Sequence, residues 1–545
     1  MDKKRILILG AGVMQLPALR WAVDQGWFVS VADGNPRAVG AAAAHRFINV
    51  DLTDIEGMIT AASELQAREG LDGVFTAGTD FSYTVARVAE ALALPGLSPD
   101  VAYKATNKAE MRKIFLEKGV ASPRFCMLEK EDSEDKALGE LRFPLVVKPV
   151  DNMGARGIRR IDTDHEYGKA VKEARRFSRC GTIVVEEYIE GPEFSIDALV
   201  SGGRIHYTGI ADRHIHFPPY FIEMGHTIPT RADETILAGI KKTFESAVHA
   251  IGIDNGAAKG DVKWDGTRAV IGEIAARLSG GYMSGWTYPY CSGVELTGAA
   301  LLQAVGAPLG GLHPSRKWFS AERAFISIPG IVASVEQGDA AKRLPWVKDL
   351  FVRVKKGDIV DFPTNNVEKC GNCIASAEDR DTAVHAAEEA CRTVFVRLEP
   401  GNELTESFLF RNAPSWIPRA FPLEREENIT ALKNMREFRV GKGSPAEGSG
   451  RADPPLRGLP ASRGTRIALS PLPHIEGESS IDWHGISFSR ALELVQSYSR
   501  AVLVEEENDA DIILGSLFWN AFSKGGIQAG VWLLDTISEK GMRGF

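Results

Sequence analysis

The stretch Gly260–Gly281, GDVKWDGTRAVIGEIAARLSGG, puts two acids, Asp261 and Glu273, on two predicted strands of a hairpin turning at Asp265-Gly266. Two carboxylates projecting from one sheet into one cleft repel each other strongly unless a cation lies between them. The donors are oxygen only, with no Cys or His beside them. That set suits Mg²⁺ or Mn²⁺, and Mg²⁺ is usually shared with substrate phosphates. With the turn centred on Asp265-Gly266, the two acids do not pair directly. They are expected to be offset by one to three positions, depending on register.

The flanking motifs supply what a nucleoside triphosphate needs. FPLVVKPVDNMGARG sets Lys148 on an apolar strand, where an ammonium is costly unless it meets an anion. The loop behind it carries Gly154 and Gly157, which let backbone N–H groups approach phosphate closely, and Arg156, which can add a contact. This is not a Walker A loop, because the lysine precedes the glycines and no Gly-Lys-Ser/Thr follows. TIVVEEYIEGPEFSID then brings Glu186, Glu187 and Glu193 around a strand end and turn.

Composition bounds the rest. A chain of 545 residues is too long for one core. A net charge of −8, without a Lys/Arg run, argues against nucleic acid or an anionic membrane as the main partner. Six scattered cysteines form no disulfide framework. The opening MDKKRILILGAG lacks the apolar segment of a signal peptide, and no apolar run reaches transmembrane length, so a cytoplasmic location is expected. Residues 5–100 alternate strand and helix, with strands at Arg5–Leu9, Phe28–Ala32 and Gly73–Thr76. A dinucleotide fingerprint is incomplete there, because Gln15 stands at the third glycine. Residues 101–120 read as one helix ending at Gly119, and Asp233–Ile251 as another. Gly441–Thr465 reads as a linker rich in Gly, Pro, Ser and Ala. After it come strands at Arg466–Leu472, Ala501–Glu505 and Asp511–Leu514, and helices at Ser489–Tyr498 and Trp519–Ile537.

Taken in order, these motifs resemble the ATP-grasp superfamily, in its carboxylate–amine (L-amino-acid) ligase branch, from the N-terminus to about Leu398. The resemblance implies an α/β and α+β multidomain chain, with a Rossmann-like pre-ATP-grasp domain before the ATP-grasp fold and a biotin-carboxylase-like architecture. It implies a pre-ATP-grasp domain at 1–100, a lid subdomain with the glycine loop at 101–190, and the large subdomain with the metal site at 191–320. A closing domain at 321–410, a linker at 411–465 and an α/β appendage at 466–545 complete the division. ATP would meet Lys108, Lys148, Gly154, Arg156 and Gly157 at its phosphates. Its adenine would meet Glu186, Glu187, Tyr188 and Ile189, and its ribose Glu193. Asp261 and Glu273 would hold Mg²⁺ or Mn²⁺. The family's E-I-N-P-R reads Glu273-Ile274-Ala275-Ala276-Arg277 here, so Ala275 supplies no ligand for a second metal. Arg277 would meet the acid or its acyl phosphate, through a guanidinium fork. Glu223 and His226, three apart in ADRHIHFPPYFIEMGHTIP, would hold the amine or move its proton. His214 and His216 in the same stretch lack a third metal ligand, and the spacing of Cys370 and Cys373 lacks a second pair.

The implied reaction joins a small carboxylate to an amine, with amino acids the natural candidates, through an acyl phosphate. A homodimer is the assembly to test. The alternatives are a carbamoyl-phosphate-synthase-like or purine-pathway ligase, and a non-catalytic nucleotide-binding protein.

Overall fold

The computed structural model describes residues 3–421, 466–469, 481–504 and 512–541. The Gly441–Thr465 linker lies outside them. Contacts divide the chain into two compact units. One comprises Met1–Arg323, Thr364–Asn366 and Ile374–Ala387. The other comprises Ala324–Pro363, Val367–Cys373 and Glu388–Phe545.

The first unit opens on a parallel sheet in the order Arg46–Ile48, Phe28–Ala32, Arg5–Leu9, Gly73–Phe75. Its strands are continuous apolar runs because helices cover both faces. The turn after the first strand is built from side chains. Gly10 has φ +99°, and a Cβ there would lie 3.0 Å from the Gln15 side chain. Gln15 is buried and donates to the Ala77 carbonyl at the end of the fourth strand. Asp33 accepts from Ala11 N and Asn35 N. It therefore braces the turn, where a dinucleotide reading would have it on a ribose.

The expected single helix over 101–120 is two, Pro99–Thr106 and Lys108–Lys118. Asn107 breaks it in an extended conformation (φ −92°, ψ 112°) and caps the second helix, its Oδ1 accepting from Ala109 N and Glu110 N. That break makes Lys108 the first residue of a helix. A four-stranded antiparallel sheet follows, in the order Phe125–Leu128, Ile183–Glu187, Leu145–Pro149, Arg159–Ile161. The helix Tyr167–Phe177 packs its Ala170, Val171 and Ala174 on one face.

The largest sheet of this unit runs Ala269–Ala275, Gly256–Trp264, Glu193–Ser201, Arg204–His216, Ile222–Ile228, Phe319–Phe325, all antiparallel. One face is apolar. Phe194, Ile196, Ala198, Ala258 and Val262 pack against Ile240, Phe244 and Val248 of the helix Glu234–Ile251. The register sorts the other face into rows. Lys263, Glu193, Arg213, His226 and Glu322 lie across five strands; Glu273, Asp261 and Ser195 form a second row; Ala275, Lys259 and Asp197 form a third.

In the second unit, Gly330–Glu336 pairs antiparallel with Ile359–Val360 and Phe395–Leu398. A parallel sheet orders Val502–Val504, Arg466–Leu469, Ile512–Leu514, and the helices Phe488–Tyr498 and Ser516–Lys540 pack nearby. The described residues after 465 share one core with residues 324–421: Val332, Phe395, Phe421, Phe488, Trp519, Phe522 and Trp532 belong to a single cluster. Trp532 donates its indole N–H to the Glu399 carbonyl at 2.9 Å, and Arg397 pairs with the fully buried Asp535. Cys370 and Cys373 are buried, and burial pushes the Cys370 thiol up to about 12. A redox or zinc cysteine needs the opposite shift.

Candidate active site

Asp261 and Glu273 are direct cross-strand partners, contrary to the expected offset. Asp261 opposes Glu273 and Val262 opposes Ile271, so Gly272 is an extra residue, a β-bulge. The turn is also longer than two residues. Trp264 pairs with Ala269, and Asp265 Oδ1 accepts from Thr267 N and Arg268 N. The longer turn and the bulge together bring both carboxylates onto one face at one level.

Cations surround the pair. Lys259, two residues before Asp261, pairs with it, and Arg213 reaches its Oδ2 at 3.1 Å. Lys108 Nζ lies 3.4 Å from Glu273 Oε1. Burial alone would raise the Glu273 carboxyl, but Lys108, Lys259, Lys148 and Arg277 hold it down to about 2.

Lys108 is only 4% exposed and also donates to the Asn152 carbonyl at 2.9 Å, which ties it to the glycine loop. That loop, Asp151–Gly157, is fastened at its base. Asp151 accepts from Arg179 N and Cys180 N, and Asn152 donates to the Phe177 carbonyl. Gly154 and Gly157 have φ +68° and +70°, and a Cβ on Gly157 would sit 2.7 Å from Phe177 Cβ. Arg156 folds back onto the Met153 carbonyl.

Lys148 Nζ lies 2.6 Å from Glu186 Oε2, and Arg112 Nε lies 2.7 Å from Glu186 Oε1. Lys148 faces Val184 and Glu186 faces Val146, so lysine and glutamate are diagonal neighbours on one sheet face. Burial would raise the Glu186 carboxyl, yet Arg112 and Lys148 hold it below the usual range. Burial lowers the Lys148 ammonium against the pull of Glu186. Both Glu186 oxygens are thus engaged by cations. Glu187, next along the strand, alternates to the other face and pairs with Arg124 and the Arg142 amide. Lys263 then binds the segment after it, donating to the Tyr188 hydroxyl at 3.1 Å and the Ile189 carbonyl at 3.0 Å, and lies 3.7 Å from Glu193.

Arg213 joins three of the carboxylates, with Glu193 at 2.5 Å, Glu223 at 2.6 Å and Asp261 at 3.1 Å. Residues three apart on a regular strand point to opposite faces. Glu223 and His226 share a face because Met224 is the extra residue of a second bulge, where Ile215 opposes Glu223 and His214 opposes Gly225. Gly225 permits it, since a Cβ there would lie 2.1 Å from the Glu322 carbonyl. His226 itself is 2% exposed, with Nε2 at 2.7 Å from Thr287 Oγ1 and Nδ1 at 3.4 Å from Glu322. Both of its nitrogens therefore meet protein groups. His214 and His216 lie on the opposite face, where His214 meets Thr227 Oγ1 and burial beside Arg323 pushes it down to about 3.

Arg277 donates Nε and Nη2 to Asp80 Oδ1, at 3.0 and 2.7 Å, and Nη1 to the Leu278 carbonyl. The residues after it thread past the N-terminal sheet: Gly78 N donates to the Leu278 carbonyl, and a Cβ on Gly280 would lie 3.2 Å from Gly78 O. A Cβ on Gly281 would come within 3.3 Å of Glu223 Oε1. The segment 277–281 thereby links the surroundings of Arg277 to those of Glu223.

The sequence reading did not single out Arg213, Lys259, Lys263, Arg112, Asp80 or Asp197. Lys259 and Lys263 had a readable signal, since they flank Asp261 at period two. The others come from distant segments and carry no local mark.

The residues fit a metal–nucleotide. Two hard-oxygen donors stand side by side inside a ring of cations, one of which, Lys108, also reaches the glycine loop. Ala275 lies one pleat beyond Glu273 and offers no third oxygen.

Residues 141–285 match the ATP-grasp domain family, residues 26–96 the ATP-grasp N-terminal domain, and residues 324–399 the L-amino acid ligase C-terminal domain 2. A Sinorhizobium fredii protein is 23% identical over 361 residues, covering 65% of this chain and 74% of its own length. Carnosine synthase 1 of Mus musculus is 25% identical over 364 residues, 62% of this chain, and the match spans only 43% of that longer protein. The L-amino acid ligase of Bacillus licheniformis has a similar structure, with a TM-score of 0.66 at 23% identity over 73% of this chain and all of its own. Among the described residues no helix is long and apolar enough to cross a membrane. With its fold, its paired acids and these three matched segments, the chain carries an ATP-grasp domain between an ATP-grasp N-terminal domain and an L-amino acid ligase C-terminal domain.

Proposed function

We propose that the protein is an ADP-forming ligase that joins a small carboxylic acid to an amine, with ATP as co-substrate and Mg²⁺ as the metal. The observation that carries the reading is the single charged sheet face. It brings the nucleotide-side acids Glu193 and Asp261 and the acceptor-side acid Glu223 into one network through Arg213, with Glu273 directly across from Asp261. Similarity to an L-amino acid ligase and to a carnosine synthase supports amino acids as the acid and the amine.

Asp261 and Glu273 would hold the metal, whose chemistry is to neutralise charge on the transferring phosphoryl oxygens. Lys108 and Lys148 bind the phosphates, and the fastened loop Asp151–Gly157 covers them with its amides. Lys263 fixes the Ile189 carbonyl for the adenine edge, and Glu193 takes the ribose hydroxyls. Arg277 orients the acid, whose carboxylate oxygen attacks the γ-phosphorus. The bond from that phosphorus to the β,γ-bridging oxygen breaks and ADP leaves. The amine nitrogen, relieved of a proton by Glu223, then attacks the acyl carbon, and phosphate departs with the bonding pair of the C–O bond. His226, held between Thr287 and Glu322, supports the floor of that pocket. Excluding water protects the acyl phosphate between the two steps.

The test is a phosphate-release screen over pairs of amino acids and small acids, with mass detection of the amide. Positional isotope exchange in ATP, driven by the acid alone, reports the acyl phosphate. If an acid is demonstrably joined to an amine without such exchange, the acyl-phosphate route is wrong. Product formed from bicarbonate in place of an organic acid would move the protein to carbamoyl-phosphate chemistry.

A further inference from the structure

Asp197 is a carboxylate with no role in the mechanism above, and it is completely buried on the sheet face that carries the site. A carboxylate in such a place must be hydrogen-bonded, and the identity of its partner is informative. Its cross-strand neighbour Lys259 is committed to Asp261. Both Asp197 oxygens go instead to one residue: Oδ1 accepts from Ser279 N at 3.0 Å and Oδ2 from Ser279 Oγ at 2.5 Å. The remaining polar group of Ser279, its carbonyl, accepts from Ser284 Oγ at 2.7 Å. All three polar groups of Ser279 are therefore fastened to the protein. Ser279 is the midpoint of the segment that begins with Arg277 and ends at Gly281 beside Glu223. The flanking glycines Gly280 and Gly281 have no side chains to hold that segment, and Gly281 sits at φ +61°.

We propose that Asp197 is a positioning residue that clamps the segment 277–281 and so sets the acid site at Arg277 and the amine site at Glu223 in one geometry. This deepens the ligase reading and rests on it. A flexible, glycine-bearing strip between two half-sites would cost both of them alignment, and small misplacements are expensive for a reaction that depends on orientation. The nucleotide half of the site, from Lys108 to Glu193, does not use this strip. Loss of the clamp should therefore divide the kinetics: the two organic substrates suffer and the nucleotide does not.

The charge state of the clamp adds a signature. Burial pushes the Asp197 carboxyl up to about 6, against the opposing pull of Ser279, Lys259 and Arg277. The groups facing it are Lys259 from its strand, Arg277 and Ser279 from the clamped segment, and the Tyr288 phenol from the helix Tyr288–Ser292.

The experiment compares wild type with Asp197→Asn, in which the carboxylate is lost and the shape is kept. We expect KM for the acid and for the amine each to rise about tenfold, as for a lost charged hydrogen bond. The Kd of Mg²⁺ with a non-hydrolysable ATP analogue should stay within about twofold. The wild-type kcat/KM for the acid should fall as pH drops through about 6, a limb the variant should lack. Unchanged KM values, or an acid limb that persists in the variant, would overturn the proposal. If Asp197→Asn does not fold, Ser279→Ala removes only the hydroxyl arm. It should raise both KM values about threefold, and unaltered values refute the clamp. Hydrogen exchange separates this inference from the ligase reading. Should no substrate pair give product in wild type, the ligase reading fails. Faster exchange over 277–284 in Asp197→Asn, with 193–196 unchanged, still decides whether the clamp exists.

Discussion

Glu186→Gln is the substitution whose outcome the structure specifies most tightly. Glu186 is 3% exposed and lies between two cations, Arg112 at 2.7 Å and Lys148 at 2.6 Å. At an effective dielectric of about 20, each contact carries about 6 kcal/mol of gross Coulomb attraction. Desolvation and the mutual repulsion of the two cations offset much of that. What remains on breaking such a set from one side is about 3–5 kcal/mol, because buried charge is left uncompensated. Arg112 keeps a second partner, the Gly272 carbonyl at 2.6 Å, while its Nη1 has no hydrogen-bond partner among the described residues. Lys148 can escape by losing its proton, since burial already lowers its pKa. The estimate thus falls at the lower end, about 3 kcal/mol. At a urea slope of about 3 kcal/mol per M, the transition of the first unit should move down by about 1 M. Mg²⁺–ATP should recover more stability in the variant than in wild type, because phosphate oxygens replace the lost carboxylate beside Lys148. Nucleotide affinity should tighten modestly if Glu186 serves Lys148 and Arg112, as the larger recovery of stability requires, and should collapse if it reads the adenine edge. An unchanged urea midpoint would refute the account of a coupled, buried triad.

Lys148→Met keeps the aliphatic stem and removes the charge; we expect ATP affinity to fall about tenfold to a hundredfold by equilibrium binding, and equal affinity would reduce Lys148 to a structural partner of Glu186. Glu273→Gln should cut ADP release by about 10²–10³-fold at saturating Mg²⁺, in line with about 3–4 kcal/mol of transition-state charge stabilisation, and native turnover would remove Glu273 from the metal site. Asp197 should make the fold pH-sensitive. Its folded pKa is raised from 3.8 to about 6, so the stability due to the bound proton is complete below 3.8 and is lost as pH rises through about 6. That shift amounts to about 3 kcal/mol, so Asp197→Asn should gain on wild type by that order between pH 4 and 7.5 in urea unfolding, and a pH-independent difference refutes it.

The sequence was legible where chemistry is local. Val146, Val147 and Lys148 sit in a plain apolar strand, and the glycines of Asp151–Gly157 follow it at once. The hairpin acids were identifiable as a pair because they stand on two short strands joined by one Asp-Gly turn. Their register was not, because Gly272 looks like any strand glycine until the facing strand is known. The same holds for Met224 between Glu223 and His226. A bulge is a relation between two strands, so one strand's sequence gives only a hint of it. The break at Asn107 was readable in principle. An Asn followed by Lys-Ala-Glu is a good cap, but helix-forming neighbours on both sides masked it. In the C-terminal part, the strands and helices after residue 466 were recovered within a few residues, because their apolar runs are short and bounded. Their common core with residues 324–421 depends on contacts such as Trp532 to Glu399, separated by 133 residues, which no window of sequence contains.

Two bulges in one sheet have a common consequence. With Gly272 in regular alternation instead of a bulge, Glu273 would point to the apolar face, against Phe244 and Ile240. With Met224 in regular alternation, either Glu223 or His226 would. A carboxylate there would have neither water nor cation, at a cost of several kcal/mol. The bulges therefore act as selectors of face, and the sheet would keep its pairing without them but lose its charge pattern. Once the acids share a face, a long planar cation can reach several of them. Arg213 does so with three, and burial does not neutralise it because Asp261, Glu223 and Glu193 hold its pKa well above the usual value. Its planar fork suits that task better than an ammonium would. A site joined by one cation cannot be altered at one end in isolation. A metal–nucleotide held as proposed would draw Asp261 and Glu193 to itself and leave a larger share of Arg213 for Glu223. The acceptor-side carboxylate would then be fixed in place only after the nucleotide side is filled. That order would suit the proposed ligase, whose amine must wait for the acyl phosphate.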